Sequence, residues 1–330
     1  MLKTPCNLIT GFLGSGKTTL LKNVMERGLS GKRVAIIMNE IGDIGIDGKV
    51  ITDLDGVEKM VELNSGCVCC TIDQFSFQMA FQEIQEEIKP DLIIIETTGL
   101  ADPFPILHRL ESVRVALDSV ITLVDASNFL HLAAEEDVLD EQVKAADFLV
   151  LNKTDLVDKS EIDKVEHQLR YLNQRALLIK ANHGNVETDL LFSTGVSEYR
   201  DRANHSTRQA GHTHTVSNPD QEHHHHHGKD EIQSFSHKTQ SSVDLHEFEQ
   251  FLGALPSNIY RAKGFLNSVN RSTGLLFNFT CGRFDFQEVS PHLGKKLPTQ
   301  AVFIGRNIHD YQNELIRQFQ TCERPTSGCV

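Results

Sequence analysis

Short apolar runs rich in Val, Ile and Leu recur along the first 180 residues, separated by stretches with helical character. The runs are "NLIT" (7–10), "RVAIIMN" (33–39), "KMVEL" (59–63), "DLIIIE" (91–96), "DSVITLVDA" (118–126), "DFLVLNK" (147–153) and "ALLIKA" (176–181). Strands that are apolar at nearly every position are typical of a parallel sheet with helices on both faces. The pattern therefore predicts an α/β domain with a mostly parallel sheet in residues 1–192.

The composition changes after about residue 192. Residues 193–242 are polar, almost free of aliphatic side chains and rich in Ser, Thr and His, so we expect a flexible linker there. From Val243 the chain shows helix-like "VDLHEFEQFLGAL", three strand-like runs and a helix-like "HDYQNELIRQFQ". Residues 243–330 are therefore predicted to form a smaller α+β domain.

Nine of the sixteen histidines fall within residues 205–237, including five consecutive ones at 223–227. Two interpretations stay open: a flexible tether that binds metal weakly, and a neutral solvated linker. Imidazole binds zinc, nickel, cobalt and copper alike, so the linker does not identify a metal.

The formal net charge of −13 argues against nucleic acid or an anionic membrane as a partner. No apolar run approaches the roughly 18 residues that a membrane span needs. The first residues also lack the pattern of a signal peptide. We therefore expect a cytoplasmic protein.

The sequence "GFLGSGKT" follows the first predicted strand and matches the phosphate-loop pattern G-x-x-x-x-G-K-[ST]. Its glycines let backbone amides turn toward phosphate oxygens, Lys17 reaches the terminal phosphates, and the Thr18 hydroxyl ligates magnesium. The predicted phosphate-binding residues are Gly11, Gly14, Ser15, Gly16, Lys17, Thr18 and Thr19.

Two carboxylates end predicted strands at the edge of the sheet where ligands of open α/β sheets bind. We assign Glu96 to the magnesium ion or its waters, so that Lys17, Thr18 and Glu96 form the predicted catalytic set. Asp125 occupies an analogous strand end, and the choice between a ligand and a turn former stays open.

The sequence "LVLNKTD" predicts a reader for the base. Asp155 can accept from the ring N–H and the exocyclic amine of guanine together, whereas adenine presents an acceptor in place of that ring donor. GTP should therefore be preferred over ATP by about tenfold or more. Asn152 is expected to bond the guanine carbonyl or ring nitrogen, and Lys153 to lay its aliphatic stem along the base.

The segment after Glu96 contains no residue that would orient an attacking water. In phosphate-loop GTPases a Gln can serve this purpose, but here Leu100 follows Gly99. We expect slow intrinsic hydrolysis and assign no general base.

Several motifs occur together in an order that resembles the CobW-like metallochaperone GTPases, relatives of the urease and hydrogenase maturation GTPases. They are "TGFLGSGKTTLL", "NEIGDIGID", "LNSGCVCC", "IIIETTGLADP" and "LNKTDL", and "IYRAKGFLN" and "AVFIGRN" resemble the C-terminal domain of that family. The resemblance implies a GTP-dependent protein that carries zinc, cobalt or a related metal to a client protein or a cofactor pathway. It also implies that Cys67, Cys69 and Cys70 bind the metal.

The chain departs from the family pattern at two positions. Asp43 stands where many relatives have Glu, and Asn267 replaces a common aromatic residue. The shorter Asp43 side chain would have less reach toward a metal.

Physical chemistry supports a metal role for the three thiols. In a reducing cytoplasm, closely spaced cysteines are more often metal ligands or redox catalysts than disulfides. Three thiolates and one further ligand make a tetrahedral site that favours zinc, and cobalt also fits. The fourth ligand stays open between Glu40, a client residue and water. A redox thiol pair and a purely structural role are the alternatives.

The C-x-C-C motif lies between "NEIGDIGIDG" and "IIIETTG", segments that sense the third phosphate in phosphate-loop GTPases. Nucleotide state and metal affinity should therefore be coupled. Two other functions stay open: a metal storage or sensing protein that uses GTP only as a regulatory ligand, and a kinase or transferase, for which no acceptor lid is seen. The sequence also allows a homo-oligomer.

Overall fold

The computed structural model describes residues 3–27, 29, 32–38, 57–62, 74–192, 232–269, 271, 273–289 and 298–324. The chain divides into two compact units, Met1–Thr194 with Thr280–Arg283, and Gly195–Phe279 with Phe284–Val330. Glu40, Asp43, the three C-x-C-C cysteines and residues 205–227 of the His-rich segment lie outside the described residues.

The first unit is built on one parallel sheet. Its strands are β1 (Thr4–Gly11), β2 (Val34–Met38), β3 (Val57–Glu62), β4 (Leu92–Glu96), β5 (Val115–Asp125), β6 (Phe148–Asn152) and β7 (Leu177–Lys180). These seven strands lie in the order β3-β2-β4-β1-β5-β6-β7, and every neighbouring pair is parallel. Each of the seven apolar runs overlaps one strand, so the predicted α/β fold with a mostly parallel sheet is confirmed.

Helices connect these strands and bury them. They are α1 (Lys17–Arg27), α2 (Gln74–Glu83, continued by a π-helical turn at Ile84–Ile88), α3 (Pro103–Leu110), α4 (Phe129–Leu132), α5 (Val138–Ala145), α6 (Lys159–Leu172) and α7 (Thr188–Leu191). Strands β1, β2, β4 and β6 are buried at every position, which explains why their sequences do not alternate with polar residues.

Helices α2 and α3 pack on the central strands through one apolar cluster. Phe77 and Phe81 of α2 pack together with tilted rings, whose centroids are 4.7 Å apart. They lie in the same cluster as Ile106 of α3 and as Leu8 and Ile95 of the sheet. This packing sets the direction of the chain on either side of Glu96, at the end of β4.

The second unit is a mixed domain with two sheets. Its strands are β8 (Ile232–Thr239), β9 (Ser242–Val243), β10 (Ile259–Asn267), β11 (Gly274–Thr280), β12 (Arg283–Glu288), β13 (Thr299–Arg306) and β14 (Glu323–Arg324), and its helices are α8 (Leu245–Gly253) and α9 (Gln312–Thr321). The larger sheet has the order β12-β11-β10-β13-β8, and β9 pairs with β14. Its core is aromatic, with Phe248 of α8 packed edge-on against Phe277 and Phe319.

Strand β8 corrects the predicted end of the linker at residue 242. It pairs antiparallel with β13 over eight residues, so Ile232–Thr239 form a strand that includes His237. The composition hid this strand because only Phe235 among its eight residues is buried. Backbone pairing and one aromatic anchor hold β8 in place.

In the part of the chain that the structure describes, no helix is long and apolar enough to cross a membrane.

Candidate nucleotide site

The phosphate loop joins the end of β1 to the start of α1. Gly11, Gly14 and Gly16 have φ values of 134°, 73° and 103°. A Cβ atom on Gly11 would lie 2.3 Å from the Leu123 carbonyl oxygen, and one on Gly16 would lie 2.4 Å from Asn152 Nδ2. At Gly11 and Gly16, the backbone conformation and the close neighbours both demand glycine.

Lys17 turns its side chain back onto this loop. Its Nζ donates to the carbonyl oxygens of Gly11 at 2.8 Å and Phe12 at 3.1 Å. The residue is only 9% exposed, so the charge is held at the loop rather than in solvent. The ammonium group therefore lies beside the first turn of α1, whose free amides and dipole favour an anion.

Thr18 and Glu96 bring two oxygen ligands together beside the loop. The Thr18 hydroxyl donates to Glu96 Oε1 at 3.3 Å, and Glu96 is buried. Glu96 reaches this place because Ile9 of β1 and Glu96 of β4 are paired in register. Magnesium prefers hard oxygen ligands such as a hydroxyl and a carboxylate, so this pair fits the predicted ion.

The phosphate loop and the segment after Glu96 each contain a buried hydroxyl without a hydrogen-bond partner among the described residues. Ser15 Oγ and Thr98 Oγ1 are inaccessible and make no hydrogen bond within the described residues. By contrast, the neighbouring Thr97 donates to Thr10 Oγ1 at 2.9 Å. Because buried hydroxyls are normally hydrogen-bonded, both fit a ligand with oxygen acceptors, such as a phosphate. The sequence analysis did not single out Thr98, although its position two residues after Glu96 was a usable signal.

Asn152 links two backbone segments beside the phosphate loop. Its Nδ2 donates to the Ser15 carbonyl at 2.9 Å, and its Oδ1 accepts from the Gly184 amide at 2.9 Å. The side chain lies between two backbone segments and is 2% exposed. Asn152 therefore ties the phosphate loop to the turn after β7. These bonds use one of its two Nδ2 hydrogens, so the predicted contact with guanine stays a prediction.

Asp125 forms the turn after β5, one of the two roles that the sequence left open, and it also binds Lys153. One oxygen accepts from the amide and hydroxyl of Ser127 at 2.9 and 2.7 Å, which forms the turn after β5. The other accepts from Lys153 Nζ at 2.7 Å and from Asn128 Nδ2 at 3.1 Å. Burial by itself raises the pKa of Asp125, but the hydrogen bonds from Lys153, Ser127 and Asn128 outweigh it and lower the pKa below its usual 3.8.

We expect Asp125→Asn to destabilise the protein in a pH-dependent way. A carboxylate with a lowered folded-state pKa stabilises the fold above its unfolded pKa of 3.8. That contribution is lost as pH falls through the lower folded value. The difference in urea midpoint between the native protein and the variant should therefore shrink between pH 5 and pH 3. Asp163→Asn, at an exposed position of α6, is the control. A pH-independent difference would contradict the assignment.

Asp155 presents an exposed carboxylate on the short helical turn after β6. Within the described residues this carboxylate makes no hydrogen bond or ion pair, whereas the Asp155 backbone amide donates to Asn182 Oδ1 at 3.1 Å. The Thr154 hydroxyl donates to the same oxygen at 2.6 Å. Asn182 thus supports the turn that carries Asp155, a role that the sequence analysis missed.

The predicted zinc ligands Glu40, Cys67, Cys69 and Cys70 lie outside the described residues. The strands that lead to them can be placed, because Met38 at the end of β2 is in register with both Glu62 and Glu96. β2 and β3 therefore end at the edge of the sheet that holds Glu96; Glu40 follows β2 and the cysteines follow β3 in sequence. Among the described residues, no group of three or more His, Cys, Asp or Glu side chains is arranged to hold a metal.

Two family models match the chain, one over each folded unit. The CobW/HypB/UreG nucleotide-binding domain matches residues 5–180, and the Cobalamin synthesis protein cobW C-terminal domain matches residues 232–323. The chain belongs to the CobW/HypB/UreG family. This confirms the phosphate-loop GTPase family that was predicted from the sequence.

Similar proteins cover nearly the whole chain. A zinc chaperone CobW from Sinorhizobium sp is 31% identical, with 96% of each chain covered. The zinc-regulated GTPase metalloprotein activator 1 of Schizosaccharomyces pombe is 29% identical, covering 92% of this chain and 83% of that one. The solved structure of the Zn(II)-bound YjiA GTPase from Escherichia coli is 24% identical with a TM-score of 0.45, and the match covers 98% of this chain and 100% of that one.

Proposed function

We propose that this protein is a GTP-hydrolysing zinc chaperone that binds zinc at its C-x-C-C motif and delivers it to a client protein. The observation that carries the proposal is the common edge of the sheet. The Thr18 and Glu96 oxygens meet there, 3.3 Å apart, and β2 and β3, which precede Glu40 and the cysteines in sequence, end at the same edge. The names of the relatives, zinc chaperones and a zinc-regulated GTPase, support the same function.

In this proposal the nucleotide phosphates bind in the phosphate loop. Backbone amides after Gly11 and the Lys17 ammonium hold the phosphate oxygens, and the Ser15 hydroxyl supplies a further donor. Thr18 and Glu96 would hold magnesium. When bound there, magnesium would neutralise charge that develops on the transferred phosphoryl group. The Thr98 hydroxyl, two residues after Glu96, is available to the third phosphate or to the attacking water.

The chain after Glu96 offers no general base, which favours slow intrinsic hydrolysis. The carboxylate of Asp102 accepts from the Phe104 amide at 2.9 Å and caps α3. Gln142 holds the backbone between them, donating to the carbonyls of Gly99 at 3.0 Å and Ala101 at 3.1 Å. We therefore expect efficient turnover only when a partner reorganises this segment or supplies the missing group.

Asp155→Asn should relax the preference for guanine. The carboxylate would accept two N–H groups of guanine at once, and an amide offers only one acceptor, so the ratio of GTP to ATP affinity should fall by about tenfold or more. Binding of xanthosine triphosphate, which carries an oxygen in place of the guanine amine, should improve. Ribose-labelled fluorescent nucleotides measure each affinity. Asp163→Asn should change none of them, and a variant at Asp155 that kept full discrimination would refute this assignment.

The proposed zinc binding rests on the three thiols of the C-x-C-C motif and on a reducing cytoplasm that keeps them unoxidised. Cys67, Cys69 and Cys70 would provide three thiolates, with Glu40, a client residue or water in the fourth position. An exchangeable fourth position suits delivery better than a closed four-thiolate site. Zinc is the favoured cargo, and cobalt fits the same ligands. We place the protein in the cytoplasm, where thiols stay reduced.

Nucleotide-coupled zinc affinity distinguishes a chaperone from a storage protein. We expect zinc affinity to differ between the GTP-analogue and GDP states by about 5- to 150-fold, tighter with the GTP analogue. Competition with a chromogenic zinc chelator measures it in each state, and turnover of GTP and ATP is followed with and without zinc. Equal affinities would refute the coupling. Many weak zinc equivalents with negligible turnover would instead indicate a storage protein.

A further inference from the structure

The loop after β7, residues 181–185, contacts the turn that carries Asp155. The Ala181 amide donates to the Leu151 carbonyl at 2.8 Å, and Asn23 of α1 donates to the His183 carbonyl at 2.7 Å. His183 and Gly184 have positive φ values of 54° and 63°. Protein contacts on both sides therefore hold this loop in a defined conformation.

The Asn182 side chain is oriented by two bonds to one of its atoms. Its Oδ1 accepts from the Thr154 hydroxyl at 2.6 Å and from the Asp155 backbone amide at 3.1 Å. A backbone N–H can only donate, so the atom it meets must be the amide oxygen. The planar amide then fixes the direction of Nδ2, which makes no hydrogen bond within the described residues and belongs to an exposed residue.

The O6 acceptor of guanine is next to the ring N–H that Asp155 would read, so a donor beside Asp155 could meet it. Asn152 uses one of its two Nδ2 hydrogens on the Ser15 carbonyl, and its Oδ1 accepts from the Gly184 amide. Asn182 is bonded to the Asp155 backbone itself and carries an available N–H group. Adenine has an amine at this position, and two N–H groups facing each other repel.

We propose that Asn182 donates from Nδ2 to O6 of guanine and, together with Asp155, selects GTP over ATP. This inference rests on the proposed function, because it requires a guanine nucleotide in the phosphate-loop site.

The substitution Asn182→Asp separates reading of the base from support of the turn. It keeps an oxygen acceptor for Thr154 and the Asp155 amide but removes the N–H donor. We expect GTP affinity to fall by about tenfold or more. ATP affinity should hold or improve, since its amine can donate to the new carboxylate. Inosine triphosphate, which keeps O6 and the ring N–H, should lose affinity in parallel with GTP.

Two further variants complete the test, all measured on the full chain with ribose-labelled fluorescent nucleotides and magnesium. Asn185→Asp adds the same charge in the same loop and should leave the ratio of GTP to ATP affinity unchanged. Asn182→Ala removes both functions and, at an exposed position, should leave the thermal unfolding temperature nearly unchanged.

The outcomes separate this inference from the proposed function. An unchanged GTP to ATP ratio in Asn182→Asp, with weakened binding of all nucleotides in Asn182→Ala, would show support of the turn only and overturn the inference. No effect of either variant would overturn it as well. A native protein that shows no preference for GTP would refute the proposed nucleotide function itself.

Discussion

Lys17→Ala should weaken GTP binding and lower GTP turnover by about 100-fold or more, the scale on which preorganised charge stabilises phosphoryl transfer. The native ammonium group is held at the phosphate loop by the Gly11 and Phe12 carbonyls, at 2.8 and 3.1 Å, and is only 9% exposed. Removing it leaves no positive side chain of this loop to meet the phosphates.

A matched control exists in the same helix. Lys22 lies five residues further along α1 with a 47% exposed side chain, 3.9 Å from Glu26. Lys22→Ala should therefore bind and hydrolyse GTP like the native protein. Lys17→Met keeps the aliphatic stem and distinguishes loss of charge from loss of packing. Binding measured by fluorescent nucleotide titration and turnover measured by phosphate release test both variants, and a Lys17→Met protein with native GTP affinity would refute the role of the charge.

Changing Cys67, Cys69 and Cys70 together to Ser should remove the tight zinc equivalent, with an affinity loss on the order of 100-fold or more. Serine hydroxyls do not lose their protons near neutral pH and are poor zinc ligands compared with thiolates. In the native protein, zinc binding should release protons and weaken as pH falls, because the thiols must ionise first. The substituted protein should lose this pH dependence along with the site.

Chelator competition measures this loss, and GTP binding serves as the internal check. The triple variant should still bind GTP with magnesium, since Lys17, Thr18 and Glu96 are unchanged. Cys329→Ser removes a thiol remote in sequence from the motif and should keep the tight zinc site. If the triple variant retained native zinc affinity, these thiols would not be the site and the zinc-chaperone proposal would lose its metal centre.

The sequence alone determined the architecture of the first unit and the chemistry of its phosphate loop. All seven strands were visible because a parallel sheet covered on both faces is mostly apolar, as in β2 and β4. The phosphate loop was visible because its glycines and Lys17 are contiguous in the chain. Both signals are local, so neighbouring residues suffice to find them. Strand β8 was not predicted, because only one of its eight residues is buried and the strand depends on its pairing with the distant β13.

Only the tertiary structure decided how the base-reading residues are used. Asn152 contacts Ser15, 137 positions away, Lys153 pairs with Asp125, 28 positions away, and Asn182 supports Thr154, also 28 positions away. Each contact arises because parallel strands carry distant segments to the same edge of the sheet. A short motif such as N-K-x-D names the residue types, but the hydrogen bonds that its atoms make depend on loops from other strands. Which amide remains free to meet a ligand is therefore a property of the folded chain.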